Sequence, residues 1–160
     1  MINDYSETMI EQLVSTYSPI VFRTAFTYCK QTSDAEDLTQ EVFLTLIQKK
    51  PSFESQEHLK AWLLRVCINK AKNHLKRDWF RRKEVEPEDL AYLPVEQMEM
   101  VQAMLKLDVH YRVVLHLYYY LGYDIKEIAQ ILKMRPATVG TRLKRGRDNL
   151  RKILGDDRER

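Results

Sequence analysis

Apolar residues recur three and four positions apart along most of the chain, the spacing of a helix that buries one face. An opening helical stretch from Ser6 to Cys29 places Ile10, Leu13, Val14, Tyr17, Val21 and Ala25 inward, and Pro19 is expected to bend or divide it. Thr32-Ser33-Asp34 reads as a turn and cap. A helix from Ala35 to about Lys49 follows, burying Leu38, Val42, Phe43, Leu46 and Ile47. The segment PSFESQE, with Pro51 and Phe53, reads as a loop. A long helix from His58 to Arg77 then turns Leu59, Trp62, Leu63, Val66, Cys67, Ala71 and Leu75 inward. Further on, helices are expected around Glu96–Leu107 and Tyr111–Leu121, the latter ended by Gly122. Tyr118, Tyr119 and Tyr120 are expected to pack.

The last stretch is the most specific. Asp124 precedes an apolar run and Glu127 follows three residues later, the spacing of a capping box. Ile125, Ile128, Ala129 and Leu132 then share a face, and Lys133-Met134-Arg135 makes a turn. Pro136 suits the first position of a second helix, where its missing N–H is not needed. Val139, Leu143, Gly146, Leu150 and Ile153 form a narrow inward stripe, with Gly146 small enough for close packing. Thr138, Thr141, Arg142, Lys144, Arg145, Arg147 and Arg151 are left outward. Two short helices joined by a tight turn, the second basic, have the pattern of a helix-turn-helix, whose second helix is expected to lie in a DNA major groove.

Charge sharpens this picture because it is segregated. The net charge of the 160 residues is only +3. Yet from His58 to Lys83 nine bases stand against Asp78 alone, from Glu84 to Asp108 seven acids stand against Lys106, and from Lys133 to Lys152 eight bases stand against Asp148. Two separated basic blocks suggest two contacts with a polyanion. The acidic stretch RRKEVEPEDLAYLPV, with Pro87 and Pro94, reads as a linker. The expected fold is therefore all-α: two small helical domains, residues 1–80 and 96–160, joined by a flexible acidic linker at 81–95, the second domain ending in the helix-turn-helix. The charged fraction of 31%, with four glycines and five prolines, agrees with a soluble helical protein. No apolar run approaches the roughly 18 residues that span a bilayer, and MINDYSETM has no signal-peptide pattern. Cys29 and Cys67 form no CxxC and are expected in or near the core, in a reduced cytosolic setting. His58, His74, His110 and His116 lack metal-ligand spacing, so neither metal nor cofactor is expected.

The segment DAEDLTQEVF, Asp34 to Phe43, carries a second signal. Asp37, Gln40 and Glu41 share an exposed helix face at i, i+3 and i+4. Acids favour a helix start through the dipole, which accounts for Asp34 and Glu36 but not for Gln40 and Glu41. Taken in order, DAEDLTQEVFLTLI, Phe53, HLKAWLLRVCINKAKNHLKR, a proline-containing linker and the terminal helix-turn-helix resemble the extracytoplasmic-function sigma factors of bacterial RNA polymerase, over about Tyr17 to Lys152. The resemblance implies a non-enzymatic subunit that binds core polymerase, recognises promoter elements and helps melt them.

Residue by residue, the resemblance implies that Asp34, Asp37, Gln40 and Glu41 dock on the clamp-helix coiled coil of the polymerase β′ subunit. The loop from Lys49 to Glu57 and the surface bearing Lys60, Arg65, Asn69, Lys70, Asn73 and Lys76 match the part that opens and reads the minus-ten element. Captured single-stranded bases suit amides and arginines, and phosphates suit lysines. Trp62 is read as core, while Trp79 and Phe80 could stack on DNA or cap the core. By the same match Arg135, Thr138, Thr141, Arg142 and Arg145 face the minus-thirty-five element, the second domain also holds the β flap, and an anti-sigma factor is the implied partner of a chain that is a monomer when free. The chain departs from the family's usual residues at Asn73, at Leu107-Asp108, at Lys133 where the turn often has glycine, and at Arg135 where a capping serine is common. Three other classes compete: a free-standing helix-turn-helix regulator with an N-terminal dimerisation or sensing domain, an enzyme acting on nucleic acid with Asp34, Glu36, Asp37 and Glu41 binding metal, and a basic tail on a membrane surface. The first would not need DAEDLTQEVF, the second lacks a second carboxylate-bearing element, and the third leaves the cap and turn unexplained.

Overall fold

The computed structural model describes residues 1–78, 87–90 and 93–159, which divide into two compact units, Met1–Lys83 and Glu84–Arg160. The regular elements among the described residues are helical. The first unit is a bundle of α1 (Glu7–Cys29), α2 (Thr32–Lys49) and α3 (Gln56–Asp78), each packed on the other two. Its core draws Val21, Ala25 and Phe26 from α1, Leu38, Val42, Phe43 and Leu46 from α2, and Leu59, Leu63, Leu64, Cys67 and Ile68 from α3. Thr24 and Thr27 are buried too, and their hydroxyls donate to the Ile20 and Arg23 carbonyls at 2.7 Å, so neither leaves an unmet polar group in the core.

Local chemistry sets most of the ends. The Met9 N–H donates to Ser6 Oγ at 3.3 Å, starting α1. Lys30 and Lys50 end α1 and α2 in the left-handed conformation, with φ of 61° and 46°. Pro19 lies inside α1 without dividing it. The turn expected at Thr32-Ser33-Asp34 is instead the first turn of α2. That helix begins after Gln31 with no side-chain cap, and the buried Ala35 and Leu38 anchor it one turn in.

The second unit contains a 3-10 turn (Pro87–Leu90), α4 (Val95–Leu105), α5 (Val109–Leu115) running into a π-helical turn (His116–Tyr120), α6 (Ile125–Leu132) and α7 (Pro136–Glu159). The π turn is seen directly in the Leu121 N–H, which donates five residues back to His116 O at 3.1 Å. α7 packs on α4, α5 and α6. An added Cβ on Gly146 would meet both Leu115 Cδ1 and Tyr111 Cβ at 3.2 Å, so the expected close approach is real. Buried Arg112 donates from Nη1 to Leu107 O at 2.9 Å, closing the α4–α5 corner where Asp108 caps α5.

Three expectations change here. Tyr118, Tyr119 and Tyr120 do not enter the core: all are exposed, Tyr119 by 60%, and their ring contacts lie at the surface, Tyr118 edge-on to Tyr119 at 4.9 Å and Tyr120 stacked on His116 at 5.2 Å between centroids. Ile125 is exposed and Ile131 is buried in its place, since α6 lies against both α7 and the π turn and its buried arc is wide. The part of the expected 81–95 linker that is described is not a bare tether: Leu90 and Leu93 are buried and joined by a Leu93 N–H to Leu90 O bond of 3.0 Å. Trp79, Phe80 and the bases at 81–83 lie outside the described residues.

Candidate nucleic-acid interface

Three helices carry the candidate residues. On α2, Asp37, Gln40 and Glu41 are exposed, and Leu44, 53% exposed, continues the same face at i+7. Leu44 went unremarked in the sequence because it sits between the buried Phe43 and Leu46. Its exposure four residues beyond Gln40 is the signal, an apolar anchor inside a polar face. Asp34 behaves differently. It is half-buried on the α3 side of α2, and its Oδ2 lies 3.3 Å from His74 Nε2 on α3.

On α3 the six candidates separate. Arg65, Asn69 and Lys76 follow one exposed stripe at i, i+4 and i+11, joined by Lys72 at i+7. Lys70 and Asn73 turn toward α2 and line, with Lys76 and Arg77, an open groove of ≈ 490 Å³ whose α2 side is Glu41. The acid expected to meet protein and the bases expected to meet DNA thus adjoin. Lys60, five positions before Arg65 and so about 140° round the helix, is half-buried and stands apart from the stripe.

The Lys49–Glu57 loop is held closely. Phe53 is 1% exposed, its ring edge-on to Trp62 at 5.6 Å and to His58 at 5.2 Å between centroids. Trp62 is half-buried, with its ring in contact with the buried Phe53. The His58 N–H donates to Ser55 Oγ at 3.1 Å, closing the first turn of α3. Burial pushes the Tyr17 phenol up, with Glu57 adding to the shift, so Tyr17 is a neutral donor at ordinary pH.

In the second unit the helix-turn-helix follows its sequence pattern. Asp124 Oδ1 accepts from the Glu127 N–H at 2.8 Å while Glu127 Oε1 accepts from the Asp124 N–H at 3.1 Å, a complete capping box. Lys133 ends α6 at φ 55°, the left-handed position where glycine is free of strain, and Pro136 opens α7. Thr138, Thr141, Arg142 and Arg145, at i, i+3, i+4 and i+7, lie together on one flank of α7, and exposed Arg135 stands at its start. The Thr141 hydroxyl donates to Ala137 O at 3.0 Å, which leaves its methyl and lone pairs outward. Arg147 is not part of this flank: its Nη1 donates to the Tyr119 hydroxyl at 3.2 Å on the other side of the helix. The flank is two arginines and two hydroxyls on a rigid, capped scaffold, a set that can read base edges and hold phosphates. Among the described residues, no group of three or more His, Cys, Asp or Glu could hold a metal ion, and no helix is long and apolar enough to cross a membrane.

Comparison with known proteins agrees with both halves. Residues 13–81 match Sigma-70 region 2 and residues 97–150 match Sigma-70, region 4. The chain is 26% identical to the ECF RNA polymerase sigma factor SigX of Bacillus subtilis, covering 92% of this chain and 84% of that one. It is 28% identical to SigW of the same organism, covering 90% and 88%. In fold it is similar to the sigma factor RpoE crystallised with the anti-sigma factor NepR from Bartonella quintana, with a TM-score of 0.75 at 21% identity over 91% of this chain and 96% of that one. It is likewise similar to CnrH in complex with the cytosolic domain of CnrY, with a TM-score of 0.70 at 23% identity over 96% and 92%. Two sigma regions in order, on the two units that carry the acid-amide and basic faces, do not favour the free-standing regulator, and the chain belongs to the sigma-70 family, in its extracytoplasmic-function group.

Proposed function

We propose that the chain docks on the β′ clamp helices of core polymerase through Asp37, Gln40, Glu41 and Leu44, and grips a promoter at two places. Arg65, Asn69 and Lys76, with Lys70 and Asn73 in the adjoining groove and the Lys49–Glu57 loop, take the melted minus-ten strand. Arg135, Thr138, Thr141, Arg142 and Arg145 take the minus-thirty-five duplex, while the second unit also holds the β flap. Lys60 is a peripheral phosphate contact at most, and Asp34 ties the start of the α2 face to α3. The observation that carries this reading is that one three-helix unit presents an acid-amide face on α2 beside a basic-amide face on α3. A dimerisation or sensing domain has no use for that pairing.

In this reading the protein has no catalytic chemistry of its own, works in the cytoplasm at the nucleoid, and is a monomer when free. An anti-sigma factor masks its faces, a reading supported by the similarity in fold to RpoE, which is crystallised in complex with the anti-sigma factor NepR. Each DNA grip is small, and useful affinity comes from tethering one to the other through polymerase. In-vitro transcription with bacterial core polymerase on genomic fragments tests the whole. Defined starts that depend on this chain are expected, and none on any fragment would return the reading to a regulator that acts without core enzyme.

A further inference from the structure

The segment before α1 runs back across the Lys50–Ser55 loop. Ile2 and Phe53 exchange both hydrogen bonds of an antiparallel bridge, from the Ile2 N–H to Phe53 O at 2.6 Å and from the Phe53 N–H to Ile2 O at 2.9 Å. Three residues on, the Tyr5 hydroxyl donates to the Pro51 carbonyl. Burial pushes the Tyr5 phenol up, which keeps that donor protonated. The strap is anchored at once on a rigid element, because Asp4 Oδ1 accepts from the Ser6 N–H at 2.9 Å and Ser6 caps α1.

The opposite side of the loop is held by α2 and α3. The Lys50 N–H donates to Leu46 O at 2.9 Å, and the Glu54 N–H donates to His58 Nδ1 at 3.3 Å. Phe53 explains why a strap is needed. Its buried ring draws its backbone N–H and C=O into the unit, where an unpaired amide is costly, and neither flanking helix offers both partners. An extended segment supplies both in one step. Clamped from two sides, the loop turns the side chains of Ser52 and Glu54 outward.

We propose that Ile2 and Tyr5 are positioning residues for minus-ten recognition, fixing the loop in the one conformation that can receive an unstacked base. This rests on the minus-ten reading of the loop proposed above. A site built on a loop reads bases only if its supporting shell holds it to a fraction of an ångström, and here that shell is a segment outside the three-helix core.

The test uses the full chain. Ile2→Pro removes the N–H that donates to Phe53 O, Tyr5→Phe removes only the hydroxyl, and Ser52→Asp alters the loop surface without touching either strap contact. Each is assayed with bacterial core polymerase on promoters permuted one minus-ten position at a time, beside core-polymerase affinity and amide exchange at Phe53. The strap variants are expected to speed Phe53 exchange about tenfold while the core of α1–α3 stays protected. They are also expected to lower minus-ten discrimination about tenfold, the scale of one lost base contact, with core affinity unchanged. Discrimination that survives both strap variants but changes with Ser52→Asp overturns the strap and leaves the loop reading standing. No change in any of the three overturns the loop reading and the strap with it. A parallel loss of core affinity in both strap variants shows general loosening of the unit and also overturns the proposal.

Discussion

Asp34 Oδ2 lies 3.3 Å from His74 Nε2, joining the first turn of α2 to the last turns of α3. This pair separates two roles that sit together in the sequence DAEDLTQE. Partly exposed polar contacts of this kind contribute little, so Asp34→Ala should lower the stability of the first unit by about 1 kcal/mol or less and leave core-polymerase binding nearly unchanged. Asp37→Ala with Gln40→Ala should do the reverse: no shift in thermal unfolding, but a loss of about 2 kcal/mol in core binding if they sit at the centre of the interface. Paired melting and fluorescence-binding measurements decide it, and equal binding losses at Asp34 and Asp37 would place Asp34 on the docking face.

The glycines of α7 make opposite predictions. A Cβ at Gly146 would press on Leu115 Cδ1, which can rotate, and on Tyr111 Cβ, which cannot move without its backbone. Overpacking of about 1–3 kcal/mol then outweighs a helix-propensity gain of about 1 kcal/mol, so Gly146→Ala should destabilise the second unit. At Gly140 nothing lies within 4 Å of the added Cβ. Gly140→Ala should therefore stabilise by about 1 kcal/mol. Urea unfolding of both variants checks the sign of each.

The thiols differ by burial. Cys67 is fully buried, and burial first, then the nearby Cys29, pushes its thiol well above the ordinary range, so its thiolate is scarce at any physiological pH. Cys29 is half-buried. A maleimide should label Cys29 in the native protein and reach Cys67 only on unfolding. Native labelling at Cys67, read by peptide mass, would show that the α1–α3 core opens.

The residues legible in the sequence are those whose local chemistry and tertiary role agree. Asp124 and Glu127 form the box their spacing announces, Gly122 takes φ 77°, and the stripe of α2 buries Leu38, Val42, Phe43 and Leu46 as its period requires. The buried arc of α3, by contrast, is turned from the expected one, taking in Leu64 and Ile68 and leaving Trp62, Val66 and Leu75 half-buried. Where a long-range partner decides, the pattern misleads. Thr32, Ser33 and Asp34 look like a turn, yet the packing of Ala35 and Leu38 extends the helix through them. Lys60 shares a basic block with Arg65 but not a helix face. Ile2 and Tyr5 carry no periodic signal, and their role depends on a loop 46 or more residues away. Leu44 is visible only once Phe43 and Leu46 are known to be buried, because an apolar residue in an apolar run has no sequence mark of exposure.

Arg142 offers the sharpest test of the minus-thirty-five grip. It shares a flank with Thr138, Thr141 and Arg145, whereas Arg147, five residues on, is bonded to Tyr119 on the other side of α7. If Arg142 makes a bidentate contact to a guanine edge, Arg142→Ala should reduce discrimination at one upstream position by about 1–3 kcal/mol. A phosphate contact would instead weaken all sequences alike and make the salt dependence of binding shallower by about one phosphate. Arg147→Ala, which removes the same charge from the wrong flank, should change neither discrimination nor its position dependence. Measuring both variants on a permuted upstream element at two salt concentrations therefore separates base reading, phosphate holding and simple net charge. Equal effects of the two arginines would mean that α7 enters the groove on a different face from the one its capped partner helix leaves open.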